Sequence, residues 1–280
     1  MRVTITGASG LIGTKLAAAL TQRGDEVTKI SLRKGAPDPA DLAGRDAIVH
    51  LAGEPVAQRW NDATRKAILE SREQGTRQLV HAIANADPRP KALISASAVG
   101  YYGPHGDERL GEDTPPGDDF LARVCVAWEH EANQADGLRV VTVRTGVVLD
   151  KQGGALSKML TPFRLGGGGP VAGGRQFLSW IHLDDVVAIM LRALDDEAWT
   201  GPVNATAPEA TRNADFSKAL GRALHRPAVA PIPGFAIKLL YGDMAQLVTE
   251  GQRVVPRRLR ELGFEHRHPQ LDEALRAAVG

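Results

Sequence analysis

Residues 6 to 13 read TGASGLIG, between an apolar run, RVTIT, and a stretch with helical apolar spacing, LIGTKLAAALTQRG. Gly7, Gly10 and Gly13 follow a G-x-x-G-x-x-G pattern. Glycines in a strand-to-helix turn permit a tight bend, close approach of backbone to a pyrophosphate, and close packing of helix on strand. The first N–H groups of the helix then face the anion. Gly7, Ala8, Ser9, Gly10, Leu11, Ile12 and Gly13 are therefore expected to cradle a dinucleotide.

The strand–helix unit then recurs along the chain. EVTKISL and DAIVHLAG read as second and third strands, and KALISAS and LRVVTVRTGVVL as two more. Between them stand helical patterns, DATRKAILESREQGTRQLVHAIANA with Asp62 as its expected cap, and DDFLARVCVAWEHEANQA. Strands alternating with helices predict an α/β fold with a parallel sheet, doubly wound in the Rossmann manner. After residue 150 the glycine-rich GGALSKMLTPFRLGGGGPVAGGRQ reads as irregular, and FLSWIHLDDVVAIMLRAL as an extended start turning into a helix capped by Asp184. We expect residues 1–150 to form the nucleotide-binding domain, with a strand and helix at about 175–195 returning to it. Residues 151–280 then form mainly a smaller C-terminal substrate lobe with two or three helices.

The second strand ends ISLRK without a carboxylate to receive a ribose 2′-hydroxyl. Ser31, Arg33 and Lys34 suit a 2′-phosphate instead, which points to NADP(H). Lys plus Arg (34) nearly balances Asp plus Glu (33), so no global field favours nucleic acid or an anionic membrane. The Arg-rich QRVVPRRLRELGF reads as a solvated helix end. Cys125 is the single cysteine, which excludes an internal disulfide and suits a reducing cytoplasm. No apolar run approaches the ~20 residues that cross a bilayer, and the opening MRVTITGASG leads us to expect no leader peptide. No His, Asp or Glu cluster has metal-ligand spacing, so no metal is expected.

The chain resembles the extended, sugar-epimerase-like branch of the short-chain dehydrogenase/reductase superfamily. The matching pieces are TGASGLIG, VHLAG (49–53), GTRQLVHAI (75–83), the strand end SASAVGYYG (95–103) and WIHLDDVV (180–187). HLAGEPV, RTGVVL, GGGGP and FLSWIHLDD resemble more closely the atypical group known as epimerase family proteins. The resemblance implies that Leu51, Ala52 and Gly53 line the ribose and diphosphate path and that RTGVVL passes near the nicotinamide. It adds Glu54, Arg72, Ser95, Ala96 and Arg144 to the residues expected to border the cofactor. Arg72 stands where the branch usually has asparagine, and a guanidinium there can fork onto the diphosphate or hold an anionic substrate group.

Reductases of this superfamily use a tyrosine as acid/base with a lysine four residues later. This chain has only Tyr101, Tyr102 and Tyr241, and His105, Gly106 and Ala245 follow at that spacing. Counting back from Glu129 places Leu121 and Cys125 at the dyad positions. Ser97 aligns with the family serine, leaving Ser97, Tyr101 and Tyr102 as the candidate catalytic hydroxyls. LGGGGPVAGGR, with Arg175, is the candidate lid, while His182 and Trp180 are expected to anchor one lobe to the other. The expected activity is that of an NADP(H)-dependent oxidoreductase or epimerase-like enzyme acting on a small carbonyl or sugar-like molecule. The alternative is an NADP(H)-binding sensor or scaffold without catalysis of its own.

Overall fold

The computed structural model describes residues 1–280, apart from the side chain of Lys34. Six strands form one parallel sheet: β1 (Arg2–Thr6), β2 (Glu26–Ile30), β3 (Ala47–His50), β4 (Ala92–Ala98), β5 (Arg139–Thr145) and β6 (Gly201–Ala205), in the spatial order β2-β1-β3-β4-β5-β6. Strand order reverses between β1 and β3, where a doubly wound sheet opens its ligand crevice. The register there aligns Val3 with both Val27 and Ala47.

Alternation within the strands explains why helices cover both faces. Val3, Ile5, Val49, Ile94 and Val143 pack with α1 (Leu11–Gln22) and with α4 (Leu183–Asp195). Ile48 and Leu93, one residue out of phase, pack with Leu79 and Ile83 of α2 (Asp62–Ala84) and Ala132 of α3 (Phe120–Ala132). A period of two thus feeds two separate cores.

Several local expectations change. Asn61, not Asp62, caps α2, its side chain accepting the Thr64 N–H at 2.8 Å. His182, not Asp184, caps α4 through its Nδ1, which accepts the Asp184 N–H at 3.2 Å. The segment read as irregular contains a helix, Gly154–Arg164, despite Pro162. Leu156, Leu160 and Phe163 recur at helical spacing and bury against Trp180, Phe216 and Leu275, and that burial outweighs the lost hydrogen bond. The sheet also takes its last strand, β6, from well beyond residue 150.

Helices Asn213–Ala223, Gly234–Tyr241 and Leu271–Val279 stand in the C-terminal part with shorter turns. Short parallel pairings, Val147–Leu149 with Trp180–His182 and Arg109–Leu110 with Arg253–Val254, draw these later segments toward the carboxyl ends of β4 and β5. Among the described residues no helix is long and apolar enough to cross a membrane.

Candidate functional site

The turn after β1 has the geometry its glycines imply. Gly7 takes φ +68°, and a Cβ on it would meet the Leu51 carbonyl carbon at 2.6 Å. A Cβ on Gly13 would meet the Gly7 carbonyl oxygen at 2.4 Å. Gly10 leads into α1, donating its N–H to the Gly7 carbonyl at 3.0 Å, and no side chain caps the helix. The first-turn N–H groups are thus left for an anion. Ser9 and Gly10 are exposed there, with Ala8, Leu11 and Ile12 half-buried beside them.

A buried relay fixes the neighbouring strand end. Thr6 Oγ1 accepts the N–H groups of Leu51 (3.2 Å) and Ala52 (3.3 Å), and lies 2.7 Å from His50 Nδ1. With both lone pairs engaged, the hydroxyl donates to Nδ1, so Nε2 carries the ring proton and donates to Thr76 Oγ1 at 2.9 Å. Complete burial, with Arg72 nearby, lowers the His50 pKa to about 3 and keeps the ring neutral.

At the end of β2, Ser31 accepts the Arg33 N–H at 3.3 Å, and the Arg33 side chain is exposed. The Lys34 side chain lies outside the described residues. Glu54 donates its N–H to Ser71 Oγ at 3.0 Å and its carbonyl accepts from Arg72 at 2.9 Å. Ser95 is fully buried, bonded to the Ala96 carbonyl at 3.2 Å, so Ala96 alone of the two presents surface.

A cavity of about 250 Å³ opens at the carboxyl ends of β4 and β5. Leu121 and Cys125 line it, together with Gly100, Trp128, Thr145 and Arg72. A Cβ on Gly100 would meet Leu121 at 3.4 Å and the Cys125 Sγ at 3.9 Å. Burial, with Glu129 close by, pushes the Cys125 thiol up to about 12, so it stays protonated. Gln246 and Leu247 of the short helix Gln246–Thr249, with Gly251 after it, wall the same cavity, a contribution from the C-terminal part that no motif announced.

The candidate hydroxyls lie elsewhere. Ser97 is buried and donates to Glu129 Oε1 at 2.6 Å. Tyr102 is fully buried, donating to Asn204 Oδ1 at 2.7 Å and accepting from Arg144 at 2.9 Å. Burial raises its pKa to about 12. Tyr101 offers its ring face to the Arg144 guanidinium, 3.5 Å from the centroid. None of the three lines the cavity. Arg144 does not line the cavity either. It is buried, binds both oxygens of Glu129 at 2.8 Å and donates to the Glu112 carbonyl at 3.1 Å. Ser97 pairs in register with Arg144, so both side chains face α3, where the Glu129 carboxylate holds them.

The glycine-rich segment packs closely at Gly168 and Gly169 and does not border the cavity. A Cβ on Gly169 would meet the Ala230 carbonyl oxygen at 2.0 Å, and one on Gly168 would meet the Phe163 ring at 2.3 Å. Arg175 borders a separate shallow depression with His105, Asp107 and Arg212. Tertiary structure also gathers a cluster that sequence spacing did not predict. Ligand atoms of His182, Asp184 and His268 lie within 4.8 Å of one another. The Lys15 ammonium sits 3.3 Å from Asp184 and meets its charge.

Comparison with known proteins accords with this geometry. The model of the NAD dependent epimerase/dehydratase family matches residues 3–204, and that of a domain of unknown function (DUF1731) matches residues 232–278. The chain is 42% identical to Epimerase family protein SDR39U1 of Bos taurus, covering 100% of each chain. It is 39% identical to the chloroplastic homolog of Arabidopsis thaliana, covering 100% of this chain and 87% of that protein. The crystal structure of human epimerase family protein SDR39U1 (isoform 2) with NADPH superposes with a TM-score of 0.91 at 39% identity, covering 99% of both chains. A cradle that side chains would fill, an uncapped helix start and a cavity beyond the strand ends thus coincide with full-length similarity, and the chain belongs to the NAD dependent epimerase/dehydratase family.

Proposed function

We propose that this chain is an NADP(H)-dependent oxidoreductase or epimerase-like enzyme acting on a small carbonyl compound. The observation that carries the reading is the Gly7–Gly13 turn, whose uncapped helix start faces the crevice at the β1–β3 reversal. When bound, the nicotinamide supplies hydride transfer. The N–H groups opening α1 would bind the diphosphate, and Leu51, Ala52 and Gly53 would border the ribose. Exposed Arg33, with Ser31, would meet the 2′-phosphate. The similar human protein was crystallised with NADPH, which supports this choice. In this reading residues 1–150 and the returning elements through β6 hold the cofactor, and the remainder covers the substrate.

The chain's own residues would orient and desolvate more than they exchange protons. Leu121, Val124 and Trp128 give the cavity apolar walls that exclude bulk water. Neither Tyr101 nor Tyr102 lines it, so the proton would come from a water in the cavity, which Asp119 and Glu250 also border. The reading is tested by titrating NADPH and NADH into the protein and following nicotinamide absorbance across a carbonyl panel. Tight NADPH binding with turnover of a panel member supports it, and a clear preference for NADH counts against it.

One observation favours a second reading, an NADP(H)-binding sensor or scaffold: no tyrosine stands at the cavity to serve as the family's acid/base. NADPH binding without turnover, accompanied by a cofactor-dependent change in partner binding, would support it.

A further inference from the structure

We infer that the cavity at the ends of β4 and β5 binds a small monocarboxylate with an apolar body, and that Arg72 is the residue that holds its charge. The inference names the substrate class for the function proposed above and rests on that reading for the position of the cofactor.

Arg72 is 9% exposed and yet has no carboxylate within 4.0 Å among the described residues. Burying a guanidinium without a paired anion leaves its desolvation only partly offset. Its hydrogen bonds all leave from one nitrogen: Nη1 donates to the Glu54 carbonyl at 2.9 Å, the Ile68 carbonyl at 3.3 Å and Ser71 Oγ at 3.2 Å. Nε and Nη2 have no acceptor among the described residues, and neither is sealed from solvent. The group is also held rigidly. Its carbon lies 5.0 Å from the Trp128 ring centroid, and a Cβ on Gly53 would meet that same carbon at 2.8 Å. A fork of donors clamped in one orientation, with two nitrogens free, suits the two oxygens of a carboxylate.

The cavity selects among anions. Arg72 is the only cationic side chain lining it among the described residues, and no residue of the 7–13 turn lines it. Arg72 is accordingly assigned an anion other than the diphosphate at the start of α1. Asp119 and Glu250 also border the cavity, and two carboxylates against one guanidinium disfavour a phosphate dianion. Leu121, Val124, Val147, Phe177 and Leu247 give the rest of the wall its apolar character. A volume of about 250 Å³ holds a short aliphatic or single-ring body and leaves out a nucleoside diphosphate sugar.

The test is calorimetric titration of phenylpyruvate, its uncharged methyl ester, inorganic diphosphate and NADPH into the full chain and into Arg72→Met and Arg72→Lys. The inference expects phenylpyruvate to bind and the ester to bind at least ~10-fold more weakly. It expects Arg72→Met to weaken phenylpyruvate by roughly 10-fold to 100-fold, with Arg72→Lys intermediate and the affinity for NADPH nearly unchanged. Equal affinity for acid and ester, or an acid affinity unmoved in folded Arg72→Met, overturns it. So does a collapse of NADPH or diphosphate affinity in that variant with phenylpyruvate unaffected, which assigns the guanidinium to the cofactor. If Arg72→Met does not fold, Leu121→Trp fills the cavity with Arg72 intact, and retained phenylpyruvate binding there overturns the inference. Wild-type protein that binds phenylpyruvate but not NADPH refutes the cofactor reading and leaves this one standing.

Discussion

Arg144 grips both carboxylate oxygens of Glu129 at 2.8 Å, and the two side chains are almost wholly buried. Ser97 donates to the same carboxylate and Tyr102 accepts from the same guanidinium, so strand-end and helix residues that resemble catalytic machinery close on one another. Removing one partner of such a pair strands the other charge. We expect Glu129→Gln to cost about 3–5 kcal/mol in urea or guanidinium unfolding. A loss below ~1 kcal/mol, the range of a surface pair, would contradict a buried, mutually dependent pair.

The two adjacent tyrosines are expected to separate by stability. Tyr102→Phe leaves Asn204 Oδ1 and one Arg144 donor short of a partner inside the core, at a cost of roughly 1–3 kcal/mol. The Tyr101 hydroxyl makes no hydrogen bond within the described residues, so Tyr101→Phe is expected to lie within ~0.5 kcal/mol of wild type. Thermal unfolding of both variants checks the contrast, and activity surviving in both supports water as the proton source.

Gly13→Ala places a methyl 2.4 Å from the Gly7 carbonyl oxygen, and the turn must shift to accept it. We expect about 1–3 kcal/mol of destabilisation, as for an overpacked core, and a fall of at least ~10-fold in NADPH affinity. Gly75→Ala, where a Cβ meets nothing within 4 Å inside α2, is the matched control and should leave NADPH affinity nearly unchanged while raising stability by about 0.5–1 kcal/mol. Fluorescence titration with NADPH reads the difference.

The buried histidine sets an acid limit on stability. His50 falls from 6.5 to about 3 in the fold, so below pH 6.5 the unfolded chain takes up a proton that the native protein refuses. Stability is therefore full above pH 6.5 and declines as pH falls toward about 3, at up to ~1.4 kcal/mol per pH unit from this residue. His182 and His266, lowered chiefly by burial, act in the same direction. Denaturation midpoints measured at successive pH values should fall across this window, and His50→Gln should flatten part of the slope. A midpoint independent of pH there would show that the rings accept protons in the native state.

Much of the nucleotide crevice was legible in the residues themselves. The spacing of Gly7, Gly10 and Gly13 after a short apolar strand is a local requirement of the backbone. It holds because the turn, the helix start and the Leu51–Ala52 contact all form within or beside one βα unit. Strands alternating with helices likewise announced a parallel sheet covered on both faces. The absence of a Tyr-x-x-x-Lys pair was an arithmetical certainty, and Leu121 and Cys125 do line the cavity.

What tertiary structure decided is where side chains of equal promise point. Ser97, Tyr102 and Arg144 read as site residues by position, but Ser97 lies in register with Arg144 on the face turned to Glu129, and Tyr102 is drawn into the same network. Arg72 read as a cleft arginine for either the diphosphate or an anionic substrate group, and only the fold closed Gly53 and Trp128 around it and left two of its nitrogens free. Sequence determined this protein's turn, its alternation and its missing dyad because each depends on neighbours close along the chain. The partners of a buried charge come from segments far apart in sequence, and only the packed fold could choose between them.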